Sequence, residues 1–290
     1  MAGSIPASGF TERAPRRGRW SKRAPLGAVV VVLVVVVALT APLLAPYDPI
    51  EQDLGNVLAE PGRAHLLGTD NVGRDVLSRV IWGTRVSLVA GFVSVAIAAL
   101  SGGVLGLLAG YWGGRVDELV MRVMDAVLSF PPLVLALALG AVLGAGLTGV
   151  LIALGVVYTP IFARLMRGQV LSVKTRDYVE AARALGAPGW WIARRHVLPN
   201  AVTPIVVQAS LSVAFAILAE ASLSFLGLGV QPPAASWGST INAGRGYLRQ
   251  APWIVFGPGA ALFVTVVGLS LAGDAVRDRL DPRLRTRRAA

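Results

Sequence analysis

The sequence predicts an all-α polytopic membrane protein with six transmembrane helices. Of its 290 residues, 54% are hydrophobic and only 15% are charged, and the mean hydropathy is +0.65. The apolar residues stand in long runs rather than at the intervals of a soluble core. A bilayer core about 30 Å thick requires about 20 apolar residues per helix, because lipid cannot hydrogen-bond the backbone. Six runs are long enough, at residues 26–45, 84–110, 119–144, 147–166, 201–228 and 253–273.

The net charge of +11 is distributed unevenly along the chain. With the N-terminus inside, most Lys and Arg residues fall in segments assigned to the cytoplasm, as the positive-inside rule expects. No basic groove with stacking aromatics accompanies them, so nucleic acid is not predicted as a partner. The first apolar run is too long for a usual signal peptide and is predicted to be retained.

The predicted segments are a cytoplasmic basic tail at 1–25, a transmembrane anchor at 26–46, an exterior segment at 47–83, a five-helix core at 84–276 with an exterior cap at 229–252, and a cytoplasmic tail at 277–290.

The sequence offers no catalytic or metal-binding constellation. It contains no cysteine, and its two histidines, His65 and His196, fall in loops assigned to opposite sides of the membrane. A glycine-rich P-loop and a serine nucleophile elbow are both missing from it. We therefore predict a chain that is not an enzyme, with no metal site and no cofactor of its own.

The cytoplasmic loop at residues 167–200 is basic and amphipathic. Residues 176–185 carry apolar side chains at helical spacing, which predicts a short helix outside the bilayer. Gly186 and Pro188 should end this helix. A second helical piece at 190–197 should follow at an angle, and Pro199 should begin the return to the membrane.

Two interpretations of this loop follow from its residues. In the first, the small side chains of the helix let another protein approach closely, and Glu180 and Arg183 add directional charge contacts, so that the loop is a docking element. In the second, the helix rests on lipid headgroups, which Trp190 and Trp191 would also suit. The residues alone favour neither interpretation over the other.

Several motifs stand in an order that resembles a known family. They are "LLGTDNVGRDVLSRVIWGTRVSL", "YVEAARALGA", "RHVLPN", "AILAEASLSFLGLGVQPP" and "SWG". Together they are similar to the dipeptide, oligopeptide and nickel permeases of ABC importers, and to the second membrane subunit in particular. His196 departs from the general "EAA" loop pattern, which has an aliphatic residue near that position.

The resemblance implies a type I ABC importer permease fold with a cytoplasmic coupling helix, in the cell membrane of a bacterium. The implied partners are a sister permease subunit, two ATPase subunits that carry ATP and Mg, an extracytoplasmic peptide-binding protein and membrane lipid. Both chain termini would be cytoplasmic. The implied substrate is a dipeptide or oligopeptide, with nickel, glutathione or another small solute as the alternative within the family. A secondary transporter is the alternative from another class.

The resemblance also assigns roles within the loop. Glu180 would lie in or beside a groove of the ATPase, Ala181 and Ala182 would form the close-contact face, and Gly186 would be the hinge after the helix. The full set of residues implied in ATPase coupling is Glu180, Ala181, Ala182, Arg183, Gly186, Leu198 and Pro199.

Two further groups of residues have more than one interpretation. Glu220 lies deep in the fifth run with Ser222 and Ser224 near it, and an acid in a bilayer is costly. It either faces the pathway or contacts a neighbouring helix or subunit. In the exterior cap, the residues expected either to contact the binding protein or to seal the outer mouth are Pro232, Pro233 and Trp237.

Small residues and prolines predict local features of two spans. Gly102, Gly106 and Gly110 recur every four residues in the second run, which predicts close packing against another helix. Pro131 and Pro132 in the third run should kink that helix or begin it anew.

Overall fold

A computed structural model describes residues 24–280, and all the helices named below lie in that part of the chain. The predicted basic tails at 1–25 and 277–290 fall largely outside it. The regular structure of the described part is helical, as predicted, apart from one isolated bridge between Thr69 and Asp75. The helices are α1 (Ala24–Leu39), α2 (Ala41–Leu44), α3 (Val76–Trp112), α4 (Gly114–Leu128), α5 (Pro132–Leu143), α6 (Leu147–Val173), α7 (Asp177–Ala184), α8 (Gly189–Ile192), α9 (Leu198–Phe225), α10 (Trp237–Gly244) and α11 (Trp253–Leu280).

Four straight helices are long and apolar enough to cross a membrane: α3, α6, α11 and the continuous helix Gly189–Phe225. The third predicted span is different. It consists of α4 and α5, which are bent by 94° relative to one another. The interruption predicted at Pro131 and Pro132 within the run 119–144 is therefore confirmed. A proline ring removes a backbone donor and disfavours the helical conformation in the residue before it.

The first predicted span is also shorter than expected. The apolar helix α1 ends at Leu39, and α2 follows after Thr40 as a single turn. The hydroxyl of Thr40 donates a hydrogen bond to the carbonyl of Val36 at 2.7 Å. The six predicted apolar runs thus correspond to four long helices, one bent pair and one shorter apolar helix.

The centre of the fold is a close crossing of α3 and α6. A Cβ atom added to Gly102 or Gly106 would overlap backbone atoms of α6, at Thr159 and Ala163 respectively, and one added to Gly110 would lie 2.9 Å from Val170. Glycine allows the two backbones to approach to this distance. Ser101 and Thr159 share a hydrogen bond of 2.7 Å across the same contact. The packing role predicted for the glycine repeat is confirmed.

Ion pairs hold α4 against the cytoplasmic half of α6. Asp117 binds the guanidinium of Arg167, and Asp125 binds Arg164 at 2.6 Å. A pairing of Asp125 with Arg122 is suggested by their closeness in sequence, but Arg122 pairs with Glu118 instead. The pairs orient α4 across α6, so the chain turns sharply before α5.

The exterior segment is ordered by buried polar contacts. Arg74 and Arg79 both approach the carboxylate of Asp70, at 2.7 Å and 3.7 Å. Arg79 also donates to the carbonyls of Pro49 at 2.9 Å and Pro233 at 3.3 Å. The guanidinium therefore joins the start of α3 to the exterior segment and to the cap.

We predict that Gly106→Ala destabilises the fold and that Gly103→Ala does not. The new methyl group at position 106 would overlap the carbonyl of Ala163, whereas at position 103 it would meet only the end of Met166 at 3.8 Å. Overpacking of this kind costs about 1–3 kcal/mol. Thermal unfolding of the purified chain in detergent measures the difference. Equal midpoints for the two variants would contradict the assignment of this crossing.

Candidate functional site

The helix α7 has defined start and stop signals. It begins at Asp177, and Asp177 and Glu180 both lie in its first turn, where negative charge is favourable to the helix dipole. It ends where Gly186 adopts a φ of +77°, and the backbone N–H of Ala187 returns to the carbonyl of Ala182 at 3.2 Å. This is a glycine-terminated helix end. The short helix predicted at 176–185 is therefore present, with Gly186 at the expected stop.

One face of α7 is packed and the other is exposed. Val179 is fully buried, and Ala182 packs against the same apolar cluster as Ile192 and Val197. The exposed residues of the helix and its end are Asp177, Tyr178, Glu180, Ala181, Arg183, Ala184, Leu185 and Gly186.

Ala182 and Leu185 lie differently from the expectation. Ala182 was expected on the contact face together with Ala181, but it packs against the chain itself. Leu185 shares helical spacing with Val179 and Ala182 and was expected on the apolar face, yet it is 88% exposed. It follows the last residue of α7, so the helical period no longer fixes its direction. Directly after α7 the chain therefore exposes a large apolar side chain.

The second half of the loop does not end at Pro199. The helix runs from Gly189 to Phe225 without a break, through a widened turn at Ala193–Val197. In this turn the N–H of Leu198 donates to the carbonyl of Ala193, five residues earlier. The helical piece predicted at 190–197 is therefore continuous with α9 and not separate from it. Leu198 is half-buried and Pro199 is exposed on one side of this joint.

The loop is attached to the adjoining ends of three long helices. The Nζ of Lys174, directly after α6, donates to the carbonyl of Gly110 near the end of α3 at 3.0 Å. Gly189 lies close to the side chain of Tyr111, which is also in α3. A Cβ atom added to Gly189 would lie 3.4 Å from the hydroxyl oxygen of Tyr111. The third attachment is the continuous helix into α9. The loop is therefore in contact with α3 and continuous with α6 and α9.

Glu220 lies inside the chain near the exterior end of α9. It is 0% exposed, and its two carboxylate oxygens accept hydrogen bonds from Ser87 of α3 at 3.0 Å and from Ser224 at 2.6 Å. Ser222 is not part of this group, because its hydroxyl donates to the carbonyl of Leu218. The two hydroxyl groups compensate part of the cost of burying an acid. Ser87 was not identified from the sequence, since no local signal connects it with Glu220.

The exterior cap combines exposed and buried residues. Pro232 and Pro233 are exposed. Trp237 is 1% exposed, and its indole N–H donates to the carbonyl of Val80 at 3.0 Å. The indole therefore fixes the cap to α3 and is not available for direct contact with another protein in this conformation. Arg79, which holds Pro233, was also not identified from the sequence as a functional candidate.

Comparison with known proteins identifies the kind of chain that carries this site. The family described as "Binding-protein-dependent transport system inner membrane component" matches residues 102–286. The chain belongs to this family. Residues 9–61 match a second family, described as "N-terminal TM domain of oligopeptide transport permease C". The two matches together extend over the first apolar helix and most of the core.

Named relatives cover most of the chain. It is 46% identical over 256 residues to the probable D,D-dipeptide transport system permease protein DdpC of Escherichia coli (strain K12), which covers 88% of this chain and 86% of the relative. It is 43% identical over 257 residues to the glutathione transport system permease protein GsiD of Pectobacterium atrosepticum, which covers 88% of this chain and 85% of the relative.

The fold is similar to that of a solved transporter. A chain of the MetNI methionine ABC transporter in inward facing conformations matches with a TM-score of 0.57 and 22% identity, over 70% of this chain and 96% of that chain. The protein is thus a permease subunit of an ABC importer, a multi-pass component of the cell membrane that performs no catalysis itself. Membership of this family removes the secondary transporter as an alternative.

We predict that Gly186→Val impairs ATP-driven uptake and that Gly186→Asn does so far less. The left-handed conformation at this position costs a side-chain-bearing residue roughly 1–2 kcal/mol, while Asn tolerates it better than other residues. Space does not distinguish the variants, because no atom lies within 4 Å of a Cβ added there. Uptake by cells that express each variant at equal membrane levels measures the effect. Equal uptake by Val and Asn variants would show that this conformation is not needed.

Proposed function

We propose that this chain is the second membrane subunit of an ATP-driven importer of dipeptides or oligopeptides. It would form the translocation pathway with a sister permease, receive substrate from an extracytoplasmic peptide-binding protein and bind two ATPase subunits, which carry ATP and Mg. Both termini would be cytoplasmic, in agreement with the excess of basic residues in the segments on that side. Support for a peptide substrate comes from the D,D-dipeptide permease among its relatives and from the oligopeptide permease family matched at residues 9–61.

The observation that carries the coupling part of the proposal is the two-faced helix α7. One face is held by Val179 and Ala182 in the core of the chain. The other face presents Glu180 and Leu185 to solvent. Within residues 24–280, the carboxylate of Glu180 has no ion-pair partner, although α7 itself carries Arg183. An exposed acid on α7, followed by an exposed apolar side chain directly after the helix, suits a groove that supplies a cation and an apolar wall.

In this proposal the loop transmits movement from the ATPase subunits to the transmembrane helices. ATP-driven closure of the ATPase subunits moves the exposed face of α7. The buried face then moves the cytoplasmic ends of α3, α6 and α9, because Lys174, Tyr111 and the continuous helix from Gly189 connect them to the loop. Such coupling requires an element with two alternative packings, each favoured by one nucleotide state.

Glutathione is the second candidate substrate. It is favoured by one specific observation, the 43% identity to GsiD. Glutathione contains peptide bonds and free carboxylates, so the two candidates share much of their chemistry. Competition for uptake separates them: the proposal expects unlabelled dipeptides or oligopeptides to inhibit uptake of a labelled dipeptide and glutathione to leave it unchanged. Inhibition by glutathione alone would reverse the order of the candidates.

We predict that Glu180→Lys weakens association with the ATPase subunits by at least about tenfold. Reversing a charge at a desolvated contact typically costs about 2–5 kcal/mol, and tenfold corresponds to about 1.4 kcal/mol. Co-purification of the ATPase subunits with the membrane subunits, followed by substrate-stimulated ATP hydrolysis in liposomes, measures both association and coupling.

A matched control is Glu118→Lys on α4, where an exposed acid is also reversed. The control should retain association. If α7 instead rested on lipid headgroups, Glu180→Lys would be tolerated and would bind anionic lipid more tightly. Wild-type association and stimulation in Glu180→Lys would overturn the proposed coupling.

A further inference from the structure

The widened turn at Ala193–Val197 has a local chemical cause. Pro199 has no backbone N–H, and its ring would collide with the carbonyl four residues earlier in a regular α-helix. The helix avoids this collision by one turn in which Leu198 bonds to Ala193, five residues earlier. Such widened turns are rare and concentrate at functional sites. This one lies between α8 and α9, where the coupling loop enters the long helix.

The side chain of Asn200 completes the hydrogen bonding of this turn. Its Nδ2 donates to the carbonyl of His196 at 2.7 Å. A widened turn leaves carbonyl groups without their usual backbone donors, and a side chain four residues later can reach one of them. Asn200 therefore stabilises the widened turn without contacting α7 itself.

His196 connects the same turn to α7. Its ring centroid lies 5.0 Å from that of Trp191, in an edge-to-face arrangement, and 6.1 Å from that of Tyr178 in the first turn of α7. Aromatic pairs at these separations attract one another beyond simple burial. One residue thus offers its carbonyl to Asn200 and its ring to α7.

We propose that His196 and Asn200 are positioning residues that transmit the movement of α7 to α9. His196 holds α7 against the widened turn, and Asn200 sets the shape of the turn so that α9 follows α7 as one body. The inference rests on the proposed coupling through α7 and adds to it the residues that make the joint stiff. Neither residue belongs to the exposed face of α7. Their removal therefore leaves ATPase binding intact and lowers the amount of substrate transported per ATP hydrolysed.

The test compares Asn200→Thr with Asn200→Val. The two side chains have the same shape, but only Thr carries a hydroxyl that can donate to the carbonyl four residues earlier. In the complete complex in liposomes, we expect Asn200→Val to bind the ATPase subunits and to hydrolyse ATP as the wild type does. Its substrate transported per ATP should fall by about threefold to tenfold, because the loss of one hydrogen bond shifts the equilibrium between a joint that follows α7 and one that does not by about that factor. Asn200→Thr should restore the wild-type ratio.

The second pair of variants tests the ring. His196→Phe keeps an aromatic ring against Trp191 and Tyr178, and His196→Ala removes it. We expect His196→Ala to lower transport per ATP and His196→Phe to retain it. The double variant Asn200→Val/His196→Ala should be no worse than the poorer single variant, because residues that act through one joint are not additive. This pair also serves if the Asn200→Val chain does not fold.

The outcomes separate this inference from the function on which it rests. A wild-type complex without substrate-stimulated ATP hydrolysis overturns both. Stimulated wild-type transport with an unchanged ratio in Asn200→Val and His196→Ala overturns this inference alone. A loss that Asn200→Thr and His196→Phe fail to repair, or one accompanied by loss of the ATPase subunits, also overturns it, because it would mean a general defect of the loop.

Discussion

The close contact between α3 and α6 is the constraint on which the rest of the molecule depends. Apolar side chains do not drive helices together within lipid as they do in water, so close backbone packing has to supply the attraction. Gly102, Gly106 and Gly110 allow it, and the hydrogen bond between Ser101 and Thr159 fixes its register. The cytoplasmic end of α6 is thereby placed beside that of α3. Lys174 closes the contact there, and α7 starts directly after it.

The helix α3 connects the two functional ends of the permease. Its 37 residues reach from the exterior cap to the coupling loop. At the exterior end Arg79 and Ser87 hold the cap and Glu220, and at the cytoplasmic end Tyr111 lies against the loop. In the proposed importer, a rigid helix with polar contacts at both ends would provide a physical route between the binding protein and the ATPase subunits.

Features with local causes were predictable from the sequence, and features that depend on partners distant in sequence were not. The apolar runs, the glycine repeat, the break at Pro131 and the stop at Gly186 each follow from one segment and its environment. Hydropathy alone did not give the 94° bend between α4 and α5, because it has no direction. The helix continues through Pro199 by way of a widened turn, in which the side chain of Asn200 donates to the carbonyl of His196. Ser87 and Arg79 meet partners that are close only in the folded chain.

The central claim is that the exposed face of α7 is covered by an ATPase subunit. The sequence contains no cysteine, so single cysteines can be introduced at Leu185 in α7's exposed face and at Glu60 in the exterior segment as a control. Both positions are exposed. Labelling with a maleimide is measured in detergent before and after the ATPase subunits are added. The account predicts protection of Leu185→Cys and unchanged labelling of Glu60→Cys, whereas equal labelling of Leu185→Cys in both states would contradict it.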